Sequence, residues 1–142
     1  MLLVRRLKER DAEQVATLIP QLTKNIIDEP QLVDRIRNLV DQPQSQFFVA
    51  ENDIGVVVGF GGLAWYSIPS KGLIAWVEEI VVDVRSRGQG IAHSIMQAIQ
   101  QEAENHYIKQ IKLTTGTPEA EKLYCSLGFV KKDQDYFVKS CK

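Results

Sequence analysis

The stretch Val82-Asp83-Val84-Arg85-Ser86-Arg87-Gly88-Gln89-Gly90-Ile91-Ala92-His93 holds the most chemically suggestive spacing in the chain. An apolar run ends at Val82, a glycine-containing turn follows, and a helical pattern opens at Ile91. The first turn of a helix carries backbone N–H groups with no intrahelical acceptor, and they lie at the positive end of its dipole. Gly88, Gly90 and Ala92 offer little side-chain bulk, so an anion can approach those amides, and Arg85 and Arg87 add positive charge. The chemistry read here is an anion cradle, and the plain alternative is ordinary helix-start architecture. No Gly-Lys-Ser/Thr ending accompanies the turn, which disfavours a nucleoside-triphosphate loop, and the glycines depart from the G-x-G-x-x-G dinucleotide fingerprint.

Two motifs give this turn a context. Arg87-Gly88-Gln89-Gly90-Ile91-Ala92 matches R/Q-x-x-G-x-G/A, the signature of the GCN5-related N-acetyltransferases (GNAT), and begins five residues beyond Val82. Arg85 to Gly90 also satisfies the pattern, at a distance from the strand that fits less well. Downstream, Ala120-Glu121-Lys122-Leu123-Tyr124-Cys125-Ser126-Leu127-Gly128-Phe129 resembles the family segment A-x-x-x-Y-x-x-x-G-F. The likeness in motif is confined to roughly residues 76–130, while the element order resembles the family over nearly the whole chain.

The resemblance implies acetyl-CoA as cosubstrate and requires no metal. Ile80, Val81 and Val82 would line the pantetheine arm between two splayed strands, and Arg87, Gly88, Gln89, Gly90, Ile91, Ala92 and His93 would hold the pyrophosphate. Many relatives carry Asn where this chain has Thr117, which is a competent helix cap with a hydroxyl able to donate to the cofactor.

Transfer of an acetyl group to an amine needs a base, because an alkylammonium holds its proton up to a pH of about 10.4, and it benefits from an acid at the departing sulfur. Glu78 and Glu79 resemble the paired acids of polyamine and hexosamine-phosphate acetyltransferases; Glu78 is read as base and Glu79 as acceptor-binding residue or substitute base. Adjacent strand residues point to opposite faces, so the pair shares a pocket only if a β-bulge rotates the strand, and otherwise one or both are solvated charges. By similarity Tyr124 is the acid, although Ala120, Leu123, Tyr124 and Leu127 also read as an apolar core stripe. A backbone N–H near Val82 is the expected support for the carbonyl oxygen. Trp65, Tyr66 and Trp76 are candidates for an acceptor cleft, and Asp28 and Glu29 would make it more acidic and favour a cationic amine. The expected reaction is direct transfer in a ternary complex to a primary amine of a small cationic molecule. A protein N-terminus or lysine, or a noncatalytic acyl-CoA sensor, are the competing readings.

The elements that must position these residues are legible as a mixed α+β order. A short strand over Met1 to Leu7 precedes a helix capped by Asp11, and a second helix follows Pro30 and stops at Pro43. Strands are expected from Phe47, from Val56 to Tyr66 and from Leu73 to Val82 as an antiparallel meander. Gly59, Gly61 and Gly62 signal a bulge, a close backbone approach or the floor of a ligand site. A helix from Ile91 to Asn105 and a strand from Ile108 to Thr115 complete a βαβ crossover, which makes those two strands parallel. Thr117 and Pro118 start a short helix closed by Gly128, and Phe129 to Lys131 with Tyr136 to Lys139 read as a last hairpin. This order reads as one α+β domain with a mixed sheet over residues 1–142, and the resemblance implies a GNAT-like fold, a mostly antiparallel sheet with one parallel crossover and helices on both faces.

Composition narrows the classes further. The 142 residues, 44% hydrophobic and 25% charged, suit a globular core rather than a disordered chain or a coiled coil. Seventeen Lys and Arg against 18 Asp and Glu give a net charge of -1, so no overall positive field argues for nucleic acid or anionic lipid. Cys125 and Cys141 have neither zinc-site spacing nor disulfide density, and no apolar stretch reads as a membrane span or leader, so a cytoplasmic setting is expected. His93 reads as a helix-surface residue and His106 as a loop residue. The sequence does not disclose the oligomeric state; related domains often pair, so a homodimer is one candidate assembly.

Overall fold

The computed structural model describes residues 1–23 and 29–141. Five strands lie in the order β1 (Leu3–Arg6), β2 (Ser45–Glu51), β3 (Val57–Ile68), β4 (Gly72–Val82) and β5 (Gln110–Lys112). All neighbours are antiparallel except β4 and β5, the parallel pair the crossover demands. Helices α1 (Ala12–Leu22), α2 (Glu29–Leu39), α3 (Ile91–Asn105) and α4 (Pro118–Ser126) complete the fold.

Period-two alternation along the strands divides the apolar residues between two cores. Phe47, Val49, Phe60 and Val81 face α1 and α2, whereas Phe48, Ala50, Leu63, Ala75 and Val77 face α3 and α4. The strand glycines follow from this packing. A Cβ on Gly59 would lie 2.9 Å from the Ile91 and Ile95 side chains, one on Gly61 would lie 2.3 Å from Ile80, and one on Gly62 would lie 2.3 Å from the Phe47 ring. Their smoothness serves helix and side-chain packing on the sheet, so the close-approach reading holds and the ligand-floor reading does not.

Three local expectations are corrected. Asp11 sits at the start of α1 but makes no side-chain cap there; its buried carboxylate instead accepts from Arg5 Nη1 and Nη2 at 2.8 and 2.9 Å and from the Lys8 amide at 2.8 Å. That network ties β1 to the root of α1, and Arg5 also reaches Glu51 on β2 at 3.1 Å. The strand after α3 spans only Gln110–Lys112, although the β-branched run to Thr115 reads as a longer one. The last hairpin is absent: no described residue after Ser126 belongs to a helix or strand. The α4 end itself forms as its glycine requires, with Gly128 at φ +92° and the Gly128 and Phe129 amides bonded back to Cys125 and Tyr124.

Candidate active site

The shortness of β5 creates the site. Pairing between β4 and β5 covers only Ile74 to Trp76 against Gln110 to Lys112, yet β4 continues to Val82. Beyond Lys112 the chain diverges through Leu113 to Gly116, and those residues form the far wall of a cleft of about 890 Å³. The near wall is Val77 to Val82. The Asp83 amide donates to Val58 of β3 at 2.8 Å, so strand alternation turns the N–H and carbonyl groups of Ile80 and Val82 away from β3 and toward the gap.

At the end of β4 the cradle is built from the backbone. Gly88 and Gly90 take φ of +81° and +77°, a region other residues adopt only with strain. Gly90 is the N-cap of α3 and supplies no capping side chain; Ser94 makes the backbone bond to the Gly90 carbonyl at 3.1 Å. The amides of Ile91, Ala92 and His93 therefore have no acceptor within the helix, and all three residues line the cleft. The arginines serve the turn more than the cradle. Arg85 is held by Asp83 at 3.1 Å and is not a lining residue, while Arg87 donates from Nε to the Val82 carbonyl at 3.2 Å. Gln89 is exposed and likewise not a lining residue.

The β-bulge on which the paired acids depend is present. Phe60 pairs with Val81 and Gly62 with Glu78, so β4 holds one residue more than β3 across this interval, and Glu79 takes φ +60°. Facing reverses across it: Ala75 and Val77 belong to the α3 core before the bulge, while Val81 belongs to the α1 core after it. Glu78 and Glu79 both line the cleft. Although their side chains are exposed, surrounding protein withdraws enough water to push both carboxyls above their ordinary range, and the charge of Glu78 raises Glu79 further.

Tyr124 reaches the same cleft from α4 and is only 8% exposed. Burial pushes its hydroxyl above the usual phenol range, so it stays protonated at neutral pH, and among the described residues it has no hydrogen-bond partner. Its ring packs edge-on against Phe129, with centroids 6.0 Å apart. Thr117 caps α4 by accepting from the Ala120 amide at 3.2 Å, which leaves its own hydroxyl proton free to donate into the cleft it lines.

A family model described as the acetyltransferase (GNAT) domain matches residues 43–131. This chain belongs to the GNAT acetyltransferase family. The matched residues carry the whole near wall, the cradle and Tyr124. Solved structures agree in fold. An acetyltransferase from Trypanosoma brucei is 19% identical at a TM-score of 0.84, covering 99% of this chain and 100% of its own. Glucosamine-6-phosphate N-acetyltransferase from Arabidopsis thaliana is 16% identical at 0.83, covering 98% of both chains. An acetyltransferase from Clostridium acetobutylicum, solved with acetyl-CoA, is 18% identical at 0.81, covering 98% of this chain and 96% of its own. No curated protein matches this chain by sequence.

In this GNAT chain Glu78, Glu79, Ile80, Val81, Val82, Arg87, Gly88, Gly90, Ile91, Ala92, His93, Thr117 and Tyr124 all border one cleft. The aromatic residues separate. Trp65 lies on the α3 face against His106, with ring centroids 4.5 Å apart, and is not an acceptor-side residue. Trp76 donates from Nε1 to the Tyr66 hydroxyl at 3.3 Å on the opposite face, outside the cleft wall. His106 is fixed by Glu102 at 2.9 Å at the far end of α3. Asp28 and the side chain of Glu29 lie outside the described residues. Gln21 and Leu22, at the end of α1, line the cleft; Gln21 carries no sequence signal, and Leu22 reads as part of the apolar face of that helix with Val15, Leu18 and Ile19. Among the described residues no cluster of His, Cys, Asp and Glu could hold a metal ion, and no helix is long and apolar enough to cross a membrane.

Proposed function

We propose that this GNAT chain transfers an acetyl group from acetyl-CoA to the primary amine of a small cationic molecule, directly and within a ternary complex. The observation that carries the reading is the splayed gap between β4 and β5, which ends on the open amides at the start of α3. The chain fits the cosubstrate at both ends. Gly88 to His93 suit a diphosphate, and the outward groups of Ile80, beside Val81 and Val82, suit the amides of a pantetheine arm. Acetyl-CoA, when bound, supplies an acyl group activated as a thioester.

The remaining chemistry belongs to side chains and backbone. Glu78 takes the ammonium proton, and Glu79 beside it holds the cationic acceptor. The freed nitrogen forms its bond to the acetyl carbon while the carbon–sulfur bond breaks, the Tyr124 hydroxyl gives its proton to the sulfur, and the second proton shed by the acylated nitrogen reprotonates the Tyr124 phenolate through solvent in the cleft. The Val82 N–H faces the gap and supports the carbonyl oxygen as negative charge builds there. His93 and Thr117 border the cofactor without a proton role.

A thiol-release assay with acetyl-CoA and a panel of polyamines, amino sugars, amino acids and peptide N-termini tests this. Release of free thiol only when a small amine is present is expected. Tight coenzyme A binding with silence across the panel would make the domain an acyl-CoA sensor, and turnover of peptides alone would make it a protein acetyltransferase. We place the enzyme in the cytoplasm, where Cys125 and Cys141, both free and exposed, stay reduced. A homodimer is favoured by the open edge of β5 together with Tyr136, Phe137 and Val138, which are 72 to 95% exposed. Light scattering before and after removal of residues 133–142 measures that state, and a monomeric full-length chain would rule it out.

A further inference from the structure

Helix α1 enters the cleft through Gln21 and Leu22. Gln21 lies 63 residues before Val84, yet its Oε1 accepts the Val84 N–H at 2.8 Å. Val84 opens the 3₁₀ turn Val84–Ser86 that leads into Gly88 to His93, and the following amide, that of Arg85, is taken by Asp83 at 3.0 Å. Both amides at the root of the turn are thus satisfied from outside it, one by the turn's own cap and one by a side chain from another element. The turn then passes through two glycines at positive φ, which resist rotation weakly. Ile91 and Ile95, 3% and 0% exposed, anchor the far end of this stretch through α3, and the Val84 bond anchors its near end, so the glycine segment between them is held from both sides.

We infer that Gln21 is a positioning residue for the diphosphate of coenzyme A: by holding the Val84 amide it fixes the near end of the turn that carries Gly88 and Gly90 along the cleft. The inference rests on the cofactor reading above and goes beyond it, since α1 contributes none of the motif residues. Without Gln21 the exposed Val84 N–H turns to water, and the near end of the turn loses its tie to α1. The Gln21 carboxamide is oriented by the same bond, because only its oxygen can accept an N–H.

The test compares Gln21→Asn, Gln21→Leu and Gln21→Glu by calorimetric titration with coenzyme A and by the KM of a short acetyl thioester of N-acetylcysteamine, which lacks the diphosphate. Asn falls one methylene short of Val84 and Leu offers no acceptor, so each should weaken coenzyme A about tenfold and leave the short thioester within about twofold. Glu reaches the same amide and accepts from it, and in about 0.3 M salt, which screens its added charge, it should recover affinity to within about threefold of the parent. Unchanged coenzyme A affinity in the Asn variant overturns the inference, as does an equal loss for the short thioester, which would mean the cleft as a whole has collapsed. If Leu fails to fold, the Asn and Glu pair decides alone. A parent protein that does not bind coenzyme A would instead refute the cofactor reading, and this inference with it.

Discussion

Tyr124 belongs to the core and also borders the cleft, and the same physical fact accounts for both. Its ring is held against Phe129 while its hydroxyl borders the cleft, and burial keeps that hydroxyl protonated. Tyr124→Phe preserves the ring packing and removes only the proton. Under single-turnover conditions kcat should fall about 100-fold with acceptor KM within about twofold, and an unchanged rate of the chemical step would remove Tyr124 from the mechanism. The carboxylates make a separate prediction. Both stand above the ordinary range of about 4.3, and a base works only when ionised, so kcat/KM should fall as pH drops through those raised values. Glu78→Gln should lower kcat at least 100-fold, and any residual activity through Glu79 should persist to lower pH, because the charge that raised Glu79 is gone. A pH profile whose acid limb stays in place would contradict the coupling. From sequence, the acids and the tyrosine were legible through the motifs around them, whereas the bulge that brings the two acids together was legible only as a condition.

At the scale of elements, the frame depends on polar ties as much as on alternation. Arg5, Asp11 and Glu51 join β1, the root of α1 and β2 in a buried network. Burial alone would raise the Asp11 carboxyl, but hydrogen bonds from Arg5 and the Lys8 amide outweigh it and hold the group below its usual range. Asp11→Ala leaves the Arg5 guanidinium largely enclosed without its main partner, and should cost about 3 kcal/mol in urea unfolding at pH 7. Because a depressed carboxyl contributes stability above its unfolded value of about 3.9 and loses it as pH falls through the lower folded value, the gap between parent and variant should close in strong acid. A constant gap would show that packing, not the ion pair, was lost. Asp11 before an amphipathic run reads as a helix cap, and the competing pull of Arg5 is invisible in the local sequence because it comes from the neighbouring strand. Similarly, Gln21 has no local signature, since its partner Val84 is distant in the chain.

For the whole molecule, the proposed function rests on a strand pair that separates. Helix and strand periodicity disclosed the order of elements and the crossover connection disclosed the parallel pair, while helices on both faces were implied by the family resemblance. The extent of β5 did not follow. Ile108 to Thr115 is rich in β-branched residues, but after Lys112 the pairing ends, and the bulge at Glu79 carries the rest of β4 on along a separate wall. The tail beyond Phe129 shows the same limit from the other side: Tyr136, Phe137 and Val138 have strand character, yet among the described residues no strand receives them.

The central claim is that the opened gap and the uncapped start of α3 form one binding surface for a coenzyme A thioester. Amide-resolved NMR during titration with coenzyme A tests it most directly. The account predicts that the largest shifts fall on Gly88, Gly90, Ile91, Ala92 and His93, with Ile80 and Val82 following as the arm seats between the strands. Saturable binding whose shifts lie elsewhere, or no binding at millimolar coenzyme A, would contradict it.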